Sequence, residues 1–129
     1  VSCAAAVAVL DTIEEEGLIA HPAKIGTALR EGIAALATRH EAIGDVRGVG
    51  MFVGVELVKD RATREPDRQT TSRVVNLLRD KGILLSACAM GHNVLKIRPP
   101  LVLNSEQVDM VIAGIDESLT EAASAKTSG

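Results

Sequence analysis

His92-Asn93-Val94-Leu95-Lys96-Ile97-Arg98-Pro99-Pro100-Leu101-Val102-Leu103 reads as a short strand that stops at two prolines. Side chains alternate between the faces of a strand, so Leu95 and Ile97 share one face while Val94, Lys96 and Arg98 share the other. Two residues of strand rise put Lys96 and Arg98 roughly 6–7 Å apart on that face. Pro99 and Pro100 lack N–H groups and cannot continue a central ladder, which ends the strand at Arg98. Two readings of the paired cations stay open at this point. One is an edge strand with a solvated basic face. The other is a strand end that presents positive charge to a bound acid.

Working outward, the residues on either side give alternating short elements. Upstream, Ile83-Leu84-Leu85-Ser86 reads as a strand, joined to the first by a turn over residues 87–93. Before it, residues 70–81 form a helix with Val74, Val75, Leu77 and Leu78 inward, ended by Gly82. Residues 59–69 are polar, contain Pro66, and read as a loop. Residues 51–58 are β-branched and bounded by turn residues, as a strand should be. Its Met51, Val53, Val55 and Leu57 make one fully apolar face, while Phe52, Gly54, Glu56 and Val58 make the other. Gly48-Val49-Gly50 precedes a strand rather than a helix, so a phosphate-cradling loop fails on context. A bulge or tight bend between two short strands accounts for it. Downstream, Asn104 or Ser105 caps a last helix, and Asn104 with Gln107 has capping-box spacing. Val108, Val111, Ile112, Ile115 and Leu119 give that helix one apolar stripe. Residues 122–129 are small and polar and are expected to fray.

Two helices open the chain. Residues 2–16 form the first, with Ser2 as its cap and Gly17 past its end. Residues 3–10 are apolar on every side, and such a helix is normally buried all round. A domain this small has little to cover it, which implies a missing surface: another domain or another subunit. Residues 18–40 form the second helix, with Pro22 in its first turn. Ile25, Ala28, Leu29, Gly32, Ile33 and Leu36 give it a single apolar face. Gly26 and Gly32 are read as points of close packing. The whole predicts one domain over residues 1–129. Its fold class is α/β in the two-layer α+β sense: a small mixed or antiparallel sheet of about four short strands, with helices on one face.

Composition excludes several functions. Of 129 residues, 47% are apolar, enough for a real core, yet Phe52 is the sole Phe, Tyr or Trp. Base stacking therefore has no platform. A net charge of −3 without a basic block argues against nucleic acid as a partner. Cys3 and Cys88 lie far apart in apolar surroundings and are expected to be buried reduced thiols, which suits a cytoplasmic protein. His21, His40 and His92 have no ligand-spaced companions, so no metal site is expected. No stretch is long enough to span a bilayer and no signal peptide is recognisable. The chain opens on Val1, as a processed or excised piece would.

Four motifs then resemble one family. Val1-Ser2-Cys3-Ala4-Ala5-Ala6 resembles the segment just after the Gly-Gly-Asn-Pro turn in class III aminotransferases, which use pyridoxal phosphate. The run from Asp45-Val46-Arg47-Gly48-Val49-Gly50 to Leu57 is similar to that family's Arg-Gly-x-Gly strand. Lys81-Gly82-Ile83-Leu84 resembles its next helix-to-strand junction, and Leu95-Lys96-Ile97-Arg98-Pro99-Pro100-Leu101 its Arg-x-x-Pro-Pro-Leu block. The resemblance covers nearly the whole chain in order.

It implies the C-terminal small domain of a fold type I enzyme, separated from its cofactor domain. The parent would be a cytoplasmic, homodimeric transaminase moving an amino group between a donor and a keto acid or aldehyde. Its partners would be that small substrate, the missing large domain and a second subunit. The cofactor lysine lies upstream in the family, and Lys24, Lys59, Lys81 and Lys126 do not occupy its context. This segment is thus expected to hold no catalytic or cofactor-binding residue and to be inactive alone. The family's carboxylate-holding arginine corresponds to Lys96, so Lys96 and Arg98 are the candidate substrate-binding residues. A lysine offers a point charge where arginine offers a bidentate fork. The longer block from Asn93 also resembles class III phospho-lyases acting on phosphorylated amino alcohols, which stands as an alternative. A free-standing small-acid-binding or dimerisation module is another, disfavoured by the uncovered apolar first helix.

Overall fold

The computed structural model describes residues 1–127. Eight elements run in the order α1 (Ser2–Glu15), α2 (His21–Leu36), β1 (Ile43–Val49), β2 (Phe52–Leu57), α3 (Arg68–Asp80), β3 (Ser86–Cys88), β4 (Val94–Ile97) and α4 (Ser105–Thr127). The four strands form one antiparallel sheet in the order β1-β2-β4-β3. The strand bearing Lys96 is therefore internal, and the edge-strand reading is corrected: β4 is hydrogen-bonded to β2 on one side and β3 on the other.

Alternation divides the sheet cleanly. Val53, Val55, Leu57, Leu95 and Ile97 point to one face and are buried with Leu29 and Ile33 of α2, Val74 and Leu78 of α3, and Ile115 and Leu119 of α4. Each such side chain contributes roughly 1.5–3 kcal/mol on full burial. Helices α2 and α3 lie on this inner face and α4 packs on both of them, so the helices sit on one side of the sheet. Gly26 and Gly32 pack closely, as read. A Cβ on Gly26 would lie 1.9 Å from the Gly50 carbonyl oxygen, and one on Gly32 would lie 2.3 Å from Ile112 Cδ1. The hairpin turns at Gly50 and Met51, with Gly50 at φ +54°, a conformation that favours glycine.

Several expectations shift. Ser2 is the first helical residue rather than a cap; Val1 holds that position with no side-chain bond. Ala28 is exposed, one position off the buried stripe of α2. Helix α3 starts earlier than residue 70, because Asp67 caps it: its carboxylate accepts from the Thr70 N–H at 3.0 Å and the Thr70 hydroxyl at 2.7 Å. The third strand is Ser86–Cys88 rather than residues 83–86. Ile83 instead closes α3, donating its N–H to Leu78 O, while Gly82 takes φ +80°. Val58 is buried beside Gly44 and forms a bridge with Pro66 instead of joining the face of Phe52. The tail expected to fray is helical through Thr127, with Ala122 buried; residues 128–129 lie outside the described residues. The capping box holds, with Gln107 N–H donating to Asn104 Oδ1 and Asn104 N–H to Gln107 Oε1.

Among the described residues, helix α1 packs on no other element and buries none of its side chains. Val7, Val9 and Leu10 are more than half exposed. Cys3 is consequently exposed rather than buried; Cys88 is half-buried, and neither forms a disulfide. No helix among the described residues is long and apolar enough to cross a membrane.

Candidate functional site

The sheet's other face carries no helix. Its register builds cross-strand rows of side chains. In one row Arg47 of β1 stands opposite Gly54 of β2, Gly54 opposite Lys96 of β4, and Lys96 opposite Ser86 of β3. In the neighbouring row Asp45 stands opposite Glu56, Glu56 opposite Val94, and Val94 opposite Cys88. Gly54 contributes no side chain, so a hollow opens between the two cations. The resulting concavity, about 470 Å³, is lined by Arg47, Val49, Phe52, Gly54, Cys88, Val94 and Lys96 among others. Its apolar rim is open to solvent: Val49 is 86% and Phe52 51% exposed.

Lys96 borders a second concavity of about 320 Å³, which it shares with Arg98, Ser86, Leu84 and Leu85. The two predicted site residues are therefore brought together, one at the end of the strand and one just past it. Neither has a carboxylate within ion-pair reach among the described residues. The carboxylate nearest Lys96 along the ladder, Glu56, is taken by Arg47. Arg47 Nη1 donates to Glu56 Oε2 and Asp45 Oδ2, each at 2.7 Å. These bonds, Glu56 first and Asp45 second, hold the guanidinium pKa above its ordinary value. The face thus keeps Lys96 unneutralised between the apolar hollow and the second concavity, where Arg98 is unneutralised too. Such an arrangement binds an anion through charge-assisted hydrogen bonds while a non-polar surface excludes water. The sequence reading missed Arg47 and Gly54, whose roles come from the hairpin register.

A cofactor Schiff base needs an amine with a depressed pKa. Lys59 bonded to Glu65, and Lys81 bonded to Glu121 and Glu117, are both held above the ordinary value, the opposite direction. Lys24 lies exposed on α2.

Comparison with known proteins adds a family. The family model described as aminotransferase class-III matches residues 1–119. The chain is 41% identical over 121 residues to ethanolamine-phosphate phospho-lyase homolog 1 of Caenorhabditis elegans, covering 93% of this chain and 26% of that protein. It is 36% identical over 122 residues to the 4-aminobutyrate aminotransferase of Escherichia coli K12, covering 95% and 29%. Among solved structures it superposes on a phospholyase from Arthrobacter in complex with phosphoethanolamine, with a TM-score of 0.84, 32% identity, and 88% and 27% of the two chains covered. The chain spans about a quarter of the length of each of these proteins.

Proposed function

Because the chain belongs to the class III aminotransferase family, we propose that it forms the small domain of a pyridoxal-phosphate-dependent transaminase and holds the acidic end of the substrate. The observation that carries this reading is the uncompensated pair Lys96 and Arg98 beside a hollow opened by Gly54. The substrate is an amine that also bears an acidic group. Lys96 meets the acid in the hollow and Arg98 adds charge at the strand end. Cofactor chemistry comes from the rest of the protein, which supplies the Schiff-base lysine and the electron sink. The domain's own part is binding and orientation, which lowers the barrier by fixing the amine relative to that centre.

The exposed α1 belongs to the same proposal. A helix with Val7, Val9 and Leu10 in water is the surface on which the large domain or the second subunit of a homodimer would pack. A cytoplasmic location accords with the two free cysteines.

A phospho-lyase is the second reading, and one specific feature favours it. Lysine stands where the family arginine would fork onto a carboxylate, and Arg98 lies close by. Two separate cations suit a phosphate's three oxygens as well as a carboxylate's two. The experiment is direct. The complete protein, loaded with cofactor, is offered 4-aminobutyrate with a keto acid, and separately phosphoethanolamine. Amino transfer supports the first reading, and release of inorganic phosphate supports the second. Absence of both, with the amine-plus-acid class surveyed, overturns the proposal.

A further inference from the structure

We propose that Arg47 is a specificity-determining positioning residue: by holding Glu56 it keeps Lys96 free for the substrate's acid. This rests on the acid-binding reading of Lys96. The geometry makes Glu56 a contested carboxylate. Arg47 and Lys96 both stand opposite Gly54, one on each side, and Glu56 is two residues further along β2 on the same face. Both cations are therefore diagonal neighbours of Glu56, a separation of about 7–8 Å between backbones that long side chains span. The structure assigns Glu56 to Arg47, with a 2.7 Å bond. The side chain of Glu56 is only 19% exposed, so water does not compete strongly for it.

Asp45 adds a second force on the same carboxylate. It stands directly across from Glu56, and like charges in that position repel. Arg47 bridges both and removes the repulsion. Without Arg47, Asp45 would push Glu56 away from β1, toward β4. The nearest cation there is Lys96. A Lys96–Glu56 pair would then occupy the ammonium that otherwise meets the substrate, and would put a negative charge at the rim of the hollow. Arg47 thus sets the sign of the site through its hold on Glu56. Gly54 between the cations is part of the device, because no side chain screens one from the other.

The test uses the complete, cofactor-loaded protein and spectral titration. Apparent Kd values are measured for 4-aminobutyrate and phosphoethanolamine, and for butylamine as a neutral amine; the ratio of neutral to acidic Kd is the anion preference. Arg47→Met should lower that preference about tenfold. Adding Glu56→Gln to Arg47→Met should restore it, because the competing carboxylate is gone. Adding Asp45→Asn instead removes the push but leaves Glu56 charged and within reach of Lys96, so it should recover thermal stability and restore the preference only in part. A crystal structure of Arg47→Met should place Lys96 Nζ within about 4 Å of the Glu56 carboxylate. An unchanged preference in Arg47→Met, equal rescue by Asp45→Asn, or a Lys96 that ignores Glu56 in that crystal structure would each overturn the proposal. Lys96→Ala separates the two failures. If it leaves the preference unchanged, the acid-binding role of Lys96 falls and this proposal with it, while Arg98 is still tested by its own variant. If it lowers the preference while Arg47→Met does not, only the role of Arg47 falls.

Discussion

Lys96 stands directly opposite Gly54 in the β2–β4 ladder, so the lysine faces a gap where a side chain would normally be. The gap is a property of one residue. A Cβ at Gly54 would meet Val94 Cγ1 at 3.3 Å and nothing else closer than 3.9 Å, so the backbone tolerates a small side chain there. Gly54→Ala and Gly54→Val should therefore fill the hollow in steps. The KM for an acid-bearing amine should rise with each step, by about tenfold or more for valine, while the melting temperature changes little for alanine. An unchanged KM in both variants would place the acid elsewhere.

Gly26 and Gly32 make a contrasting pair on α2. Alanine at either gains up to about 1 kcal/mol of helix propensity. At Gly26 the new methyl meets the Gly50 carbonyl, which is backbone and cannot rotate away. Gly26→Ala should destabilise by about 1–3 kcal/mol or more. At Gly32 it meets the end of the Ile112 side chain, which can shift. Gly32→Ala should fall within about 1 kcal/mol of the parent. Urea unfolding of the two variants checks the ordering, and equal losses would contradict the packing account.

Asp116 links α4 to the end of α2. It accepts from His40 and from Arg39, and those bonds, His40 first, hold its carboxyl below the ordinary value. A depressed folded pKa stabilises above the unfolded carboxylate value, about 3.9, and that stability is lost as pH falls through the folded value. Arg39 is 63% exposed and adds little. The stability difference between the parent and Asp116→Asn should shrink as pH falls below about 4. A difference that stays constant down to about pH 2 would exclude the linkage.

The 129-residue chain on its own should take up no cofactor at a specific lysine. Lys59 and Lys81 are ion-paired in the direction that suppresses a free amine. After incubation with pyridoxal phosphate and borohydride reduction, mass spectrometry should find scattered, substoichiometric label. A stoichiometric adduct on one lysine would show an anchor within these residues.

Much of this was legible in the sequence because apolar spacing reports it. The order of the eight elements, the inner face of β2 and the stripe of α4 come from periods of two and 3.6. Strand β3 was displaced because Ser86, Ala87 and Cys88 are weak strand formers placed by pairing with β4, whereas Ile83-Leu84-Leu85 looks more like a strand. Leu84 is in fact 83% exposed. Lys96 and Arg98 were visible as cations, but their neighbours were not. Which carboxylate meets which cation depends on register, and register is fixed by the two-residue turn at Gly50 and Met51 together with the bulge between Ile43 and Asp45. That register gives Glu56 to Arg47. The uncovered α1 follows from a uniformly apolar helix in a domain too small to cover it.

The central claim is that Lys96 and Arg98 hold the substrate's acid, and steady-state kinetics on Lys96→Ala and Arg98→Ala in the complete enzyme test it most directly. A charge-assisted hydrogen bond contributes roughly 1.5–3 kcal/mol net. Its loss should lower kcat/KM for an acid-bearing amine by about 10- to 150-fold in at least one variant, with the melting temperature nearly unchanged. If both variants keep the parent kcat/KM and lose only thermal stability, the two cations serve the fold and the acid-binding role is wrong.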